Sequence, residues 1–466
     1  MNFVKKALAI LGLDQAVGYG VFTRIWGIFG GMVNIIIITK CFTSTEQGYF
    51  YTISGLLALQ IFFELGLLVV VAQFASHEFA LLSWGPNGKI VGDEGSRGRL
   101  MNLLAKATIW YGISSAAIVI MIIPIGLIFF NHSKVHEIII SWEIPWILSV
   151  FMIAANLLLI PFYAVISGSG DVVSVNKRQL IGGLLGSLMS WCIILNHGGL
   201  YAVPALSAGN IIVGVIYLFK NKPILIHSLA TEFRSIREKT SVNSISWRNE
   251  IWPMQWRIAI SWIAGYFIFQ LFTPVIFIYH GPIMAGQMGV TISISNALMA
   301  VSIAWVQAKS PEFGRRVAMK NWKGLDALFL IILKQTFFVV ATGAVIISVA
   351  IYFLQRYSVW GTRFLPYGEV AIMLGAVICI VIGATFAAYL RAHKTEPMLK
   401  ISIIVGILTG ISTITLGRYY STLGVCLGHF IISLIYGLPM TYIVWKKFRH
   451  EMHDYKESDN LQMVPE

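Results

Sequence analysis

The chain has 466 residues, of which 57% are hydrophobic and only 12% charged, with a net charge of +13 and a mean hydropathy of +0.76. A soluble domain keeps about 25–35% of its surface charged, so this composition excludes one and places the chain among polytopic membrane proteins. The four cysteines, Cys41, Cys192, Cys379 and Cys426, lie in or beside apolar runs with neither metal nor disulfide spacing, and read as small hydrophobes.

Met1 to Gln15 carries Lys5 and Lys6 before a short apolar run. That order resembles a signal peptide, but no small-residue cleavage site follows, so the segment reads as a retained piece on the cytoplasmic surface and a candidate interfacial helix. Apolar runs then recur, each long enough to cross about 30 Å of hydrocarbon. They cover 18–39, 49–73, 107–130, 142–167, 179–196 and 200–219, then 258–280, 290–308, 326–355, 367–390, 401–417 and 422–445. That is twelve spans, six per half, all expected to be helices because lipid offers the backbone no other partner. The pairs 179–196/200–219 and 401–417/422–445 are close enough to be tight helical hairpins.

Gln73-Phe-Ala-Ser76-His-Glu78-Phe79 recurs as Gln307-Ala-Lys-Ser310-Pro-Glu312-Phe313, half a chain later and at the end of the second span of each half. The recurrence points to a duplicated architecture, a frequent plan for transporters. With the N-terminus inside, 27 of the 34 lysines and arginines fall in inward segments and five outside. This is a strong positive-inside pattern. It explains the net charge without nucleic acid, which is not expected as a partner; membrane lipid is. The expected organisation is a six-helix bundle over 1–220, a basic cytoplasmic linker over 221–257, a second six-helix bundle over 258–445 and a polar cytoplasmic tail over 446–466. The linker (Arg234, Arg237, Lys239, Arg248) has the pattern of a surface-lying helix.

Ionisable groups in hydrocarbon are costly and mark functional candidates. Arg24 lies about 8 Å into the first span, Glu64 about 13 Å from the inner end of the second and Lys334 about 12 Å into the ninth. Arg257 stands at the inner mouth of the seventh. All four occupy the inner half of the membrane. Two structural readings compete with function: Arg24 and Arg257 are shallow enough to snorkel to the interface, and Arg24 can bridge Glu64 while Asp326 attracts Lys334. The functional reading is a cationic, water-filled cavity that accepts an anionic headgroup, with Glu64 holding an arginine or carrying a coupling proton.

Gln60, Gln270, Asn34, Asn156, Asn210 and Asn296 lie within spans and suit either helix-to-helix hydrogen bonds or a sugar path. His429 reads as a packed histidine. Gly27-x-x-x-Gly31 and Gly182-x-x-x-Gly186 read as close-packing faces, and Pro145, Pro161, Pro204 and Pro274 as candidate kinks. No nucleotide loop, zinc-spaced pair or nucleophile motif occurs, so neither enzyme activity nor a metal or cofactor is expected.

Arg24 in a glycine-rich first span, Glu46-Gln-Gly-Tyr-Phe50 in the first outward loop, Phe63-Glu64-Leu-Gly66-Leu67 in the second span and the Ser310-Pro-Glu312-Phe313 core together resemble the polysaccharide flippases. These are the O-antigen and capsule translocases of the multidrug/oligosaccharidyl-lipid/polysaccharide (MOP) exporter superfamily. The resemblance implies an all-α membrane fold of two pseudo-symmetric six-helix bundles around a V-shaped cavity that opens alternately, with both termini cytoplasmic. It implies a multi-pass flippase of the cell inner membrane that moves undecaprenyl-diphosphate-linked oligosaccharide to the outer leaflet, coupled to an ion gradient. Its partners would be the lipid-linked oligosaccharide and other polysaccharide-assembly proteins. Arg24 is carried over by the motif; Lys334 and Arg257 rest on depth. A cation-coupled multidrug exporter of the same fold is the alternative.

Overall fold

The computed structural model describes residues 15–85, 89–132, 140–237, 245–393 and 397–461. The candidate interfacial helix before Gln15 lies outside them, as do Lys239 and the side chains of Arg234 and Arg237. By compactness the chain divides into Met1–Ile263 and Ala264–Glu466.

The first unit begins with α1 (Gln15–Cys41), then α2 (Ser44–Leu57), a single turn α3 (Ile61–Glu64) and α4 (Leu67–Glu78). A small hairpin, β1 (Leu82–Trp84) and β2 (Ile90–Gly92), leads into α5 (Glu94–Asn131). There follow α6 (Glu143–Leu157), α7 (Ile160–Gly168), α8 (Val172–Leu195), α9 (Ala202–Asn221) and α10 (Pro223–Arg237). The division falls inside α11 (Trp252–Phe269). The second unit continues with α12 (Phe272–His280), α13 (Pro282–Ala318), α14 (Trp322–Tyr357), α15 (Tyr367–Arg391), α16 (Leu399–Ile431) and α17 (Leu438–Leu461).

Among the described residues, nine helices are long and apolar enough to cross a membrane, and two broken pairs bring the number to eleven. One of the nine is divided in turn. Ser421 has φ 56 and ψ −146, outside helical geometry, and Gly428 lies against Ser412 and Leu416. Residues sixteen apart on one straight helix would be separated by about 24 Å, so the chain folds back at Ser421. The expected hairpin is present, and twelve spans result.

Short polar side chains start these helices. Asp93 accepts from Ser96 N–H at 2.7 Å, Asp171 from Ser174 N–H at 3.3 Å and Asn321 from Gly324 N–H at 2.9 Å. Each satisfies an amide that has no carbonyl one turn earlier. Thr43 and Glu46 form a reciprocal capping box. Glu46 to Phe50 is therefore the opening of α2 rather than an outward loop, and Glu46 has a structural task.

The two units bury aromatic cores. In the first, Phe130 lies 5.3 Å from Tyr49 and 4.9 Å from Trp142, and Trp146 is fully buried where Gly126 leaves space for it. In the second, Phe313, Phe329, Phe386 and Tyr389 form one cluster, closed by Trp445. Both copies of the repeated motif end the inner part of a second span, and both glutamates bind arginine: Glu78 binds Arg99, and Glu312 binds Arg315 and Arg316. Phe313 is wholly buried, whereas Phe79 meets the Trp84 ring at a tilt, 5.4 Å between centres.

The two glycine spacings differ in use. A Cβ on Gly186 would meet the Leu206 carbonyl, and one on Gly182 would meet Asn210, so this pair lets α8 and α9 touch. Gly27 and Gly31 have nothing within 4 Å of a Cβ, so the packing expectation fails there; they face open space. Gly186→Ala should destabilise the protein by about 1–3 kcal/mol, whereas Gly31→Ala should be neutral or stabilise by up to about 1 kcal/mol. Thermal unfolding of the two variants in detergent checks the contrast.

Candidate functional site

The inner ends of the helices are held by ion pairs. Arg99 bonds Glu78 at 2.9 Å and Glu250 at 2.8 Å. Lys106 donates to the Ile245 carbonyl at 2.5 Å, and Asn102 donates to Glu232 at 3.0 Å, docking α10 onto α5. The amphipathic helix expected in the 220–257 segment is α10, with Leu225 and Leu229 buried. Lys222 lies 3.4 Å above the Trp84 ring and 3.4 Å from Asp171, and Trp84 donates to Ser169. Burial pulls the Lys222 ammonium below its ordinary pKa, against the pull of Asp171. In the second unit Arg449 binds Asp326, which also accepts from Tyr389 at 2.9 Å. Several of the cations counted in the inward segments by sequence are thus staples as well.

The candidate residues within the membrane behave differently. Arg24 is exposed on α1, and no ion pair joins it to Glu64 among the described residues. The expected bridge between Arg24 and Glu64 is thus not formed among the described residues. Arg24 shares a helix face with Gly27 and Gly31, at spacings of three and seven. The exposed apolar residues Phe22, Ile25, Phe29, Met32 and Ile36 form another face. Lys334 is exposed on α14 among Leu330, Ile331, Phe337 and Phe338, and Asp326 does not hold it because Arg449 does. Arg257 is exposed, with its guanidinium 5.6 Å from the Trp256 ring. Arg24, Arg257 and Lys334 have no carboxylate partner among the described residues.

Glu64 is 8% exposed and closes α3 at a break in the second span. Leu65 and Gly66 both take left-handed backbone, φ 50 and φ 65, and the helix resumes at a bend of 44°. Positive φ costs a leucine about 1–3 kcal/mol, so surrounding structure must impose it. Ser114 donates to the Phe63 carbonyl at 3.1 Å, and Ile258 packs where a side chain on Gly66 would stand. A second break, of 43°, separates α11 from α12, where Pro274 cannot donate to the Gln270 carbonyl.

One cation escaped the sequence reading. Arg178 counts there as an inward-loop residue, but α8 begins at Val172, which puts Arg178 in the second helical turn, about 9 Å from its start. It is 8% exposed, its guanidinium 3.9 Å from the centre of the Tyr163 ring, and its Nε and Nη1 have no hydrogen-bond acceptor. Among the described residues no ion pair holds Arg178, and the Tyr163 ring it lies over is neutral. An uncompensated buried charge costs about 3–5 kcal/mol, more than the ~0.5–2 kcal/mol of a cation–π contact. Arg178 borders a pocket of about 380 Å³ whose wall includes Trp26, Gly27, Gly31, Asn156, Gln179 and Asn210. Two of the six candidate polar residues, Asn156 and Asn210, are thereby brought together. His429 is packed against Phe272 at 5.0 Å, though its Nδ1 is left without a partner.

The fold is shared with solved transporters. An inward-facing multidrug resistance MATE family transporter of the MOP superfamily matches 89% of this chain and 98% of its own at 14% identity, with a TM-score of 0.54. The lipid II flippase MurJ, in an inward closed conformation, matches 92% of this chain and 87% of its own at 15% identity and a TM-score of 0.60. A point mutant of the Vibrio cholerae MATE transporter VcmN matches 96% and 98% at 11% identity and a TM-score of 0.53. No family model and no curated relative matches the sequence. The chain is an all-α, multi-pass membrane protein with the MATE/MOP fold.

The ion pairs at the inner ends yield a direct test. In double-mutant cycles, Asp326 and Arg449 should couple by about 1 kcal/mol. Asp326 and Lys334 should couple by less than about 0.5 kcal/mol. Equilibrium unfolding of the three single and two double variants and the parent measures both values.

Proposed function

We propose that the protein is a flippase of the cytoplasmic membrane that carries an anionic, lipid-linked oligosaccharide from the inner to the outer leaflet. The observation that supports this reading is the sign of the unpaired charge. Several cations at the helix ends, Arg99, Lys222 and Arg449 among them, are bound to carboxylates, whereas Arg24, Arg257 and Lys334 carry none among the described residues. Unpaired cations at membrane depth suit an anionic substrate, because its charge cancels theirs when it binds. The substrate class is the undecaprenyl-diphosphate-linked O-antigen or capsule repeat unit, with the diphosphate on the cations and the polyprenyl tail in lipid. A neighbour of the same fold, MurJ, bears the description lipid II flippase, which supports a lipid-linked substrate. Alternating access driven by an ion gradient completes the cycle, and Glu64 is the candidate coupling group.

Glu64 also favours the second reading, a cation-coupled multidrug exporter. It is a buried carboxylate at a helix break, with no ion-pair partner among the described residues, the kind of group a cationic substrate or coupling ion needs. Two of the similar structures are multidrug or MATE transporters. Among the four residues singled out from the sequence, the unpaired charge is three cations to one carboxylate, and that balance favours the flippase.

The sidedness of lipid-linked oligosaccharide in cells depleted of the protein separates the two. Accumulation on the cytoplasmic face, unrelieved by Arg24→Glu protein that still reaches the membrane, is the expected result. Rescue by Arg24→Glu would overturn the role of Arg24. Normal glycan-lipid with reduced efflux of cationic dye would establish the exporter instead.

A further inference from the structure

We infer that the pocket inside the first unit, bordered by Arg178, is an oxyanion site that takes a phosphate-type group. It stands on Arg178 itself and needs no cavity shared with the second unit. Arg178 is more than nine-tenths buried, stacked on Tyr163, and leaves Nε and Nη1 without acceptors. Stacking satisfies the face of a guanidinium but none of its in-plane donors, and planar donors of this kind match oxyanions. A metal cation is a poor occupant, because the lining carries the positive charge of Arg178 and no carboxylate among the residues that form it.

The rest of the wall fits the same ligand. Asn156, Gln179 and Asn210 supply amide donors for further oxygens, each from a different helix: α6, α8 and α9. Gly27 and Gly31 keep α1 free of side chains there, and neither has an atom within 4 Å of where a Cβ would be. This explains a small-residue face that packs against nothing. At about 380 Å³ the space falls within the ~300–1,000 Å³ usual for small-molecule sites. Arg24 lies on the same face of α1 one turn nearer the inner end, so a charged group leaving the pocket on that side would pass a second arginine.

The ligand chemistry is a diphosphate, and its source is either free in solution or the headgroup of a lipid; the lipid source rests on the flippase reading. The test uses the full chain in detergent, titrated calorimetrically with inorganic pyrophosphate and, separately, with farnesyl diphosphate, each against chloride of equal ionic strength. Binding of pyrophosphate that weakens roughly tenfold, ~1.4 kcal/mol, in Arg178→Gln supports the site with the free anion sufficient. Binding of farnesyl diphosphate alone, with the same dependence on Arg178, supports it with the lipid as source. No binding of either probe, or equal binding by parent and variant, overturns it. Should Arg178→Gln fail to fold, Asn156→Leu narrows the wall without touching the Tyr163 stack, and an unchanged affinity for the probe that binds the parent then overturns the site. The flippase reading fails separately, through normal glycan-lipid sidedness, whatever pyrophosphate does.

Discussion

In the hydrocarbon of a membrane, a polar group keeps only the partners the protein itself supplies, and the molecule is arranged around that shortage. At the helix ends several charges are paired: Arg99 with Glu78 and Glu250, Lys222 with Asp171, Arg449 with Asp326. These contacts join helices that are distant in sequence and hold the ends of each unit together. Deeper in, the pattern reverses. Among the described residues Arg24 and Lys334 have no carboxylate, and Arg178 has a ring on its face and two donors unused in its plane.

The same shortage governs the helix breaks. Interrupting a span frees carbonyls that must find donors. At Phe63 the donor is Ser114, and at Gly66 the left-handed backbone and the close approach of Ile258 both require a residue without a side chain. Glu64 stands at this break, so its carboxylate and the bend are parts of one local arrangement. A change in what Glu64 binds would therefore act where the span is already interrupted, a natural coupling of ion occupancy to helix geometry.

Much of this was legible in the sequence because lipid selects for length and polarity, which are local. The twelve spans, the hairpin before and after Ser421 and the amphipathic α10 all follow from the order of residues. Errors arose where a local pattern has two structural meanings. Gly182-x-x-x-Gly186 and Gly27-x-x-x-Gly31 are identical as spacings, yet one receives α9 and the other lines open space. Glu46 reads as part of a loop motif but caps α2. Asp326 and Lys334 are two turns apart on one helix, and Asp326 is instead taken by Arg449 from another.

By itself the sequence determined that the chain is helical and membrane-spanning, that its lysines and arginines gather between alternate spans, and that Arg24, Glu64 and Lys334 fall within spans. These are properties of single residues and their neighbours along the chain, read against about 30 Å of hydrocarbon. Only the tertiary structure decided which charges are paired, which glycines pack and that Arg178 belongs to a pocket rather than a loop. Those facts depend on where α8 begins and on what α1, α6 and α9 bring beside it, and such distances between remote segments are settled by packing, not by spacing along the chain.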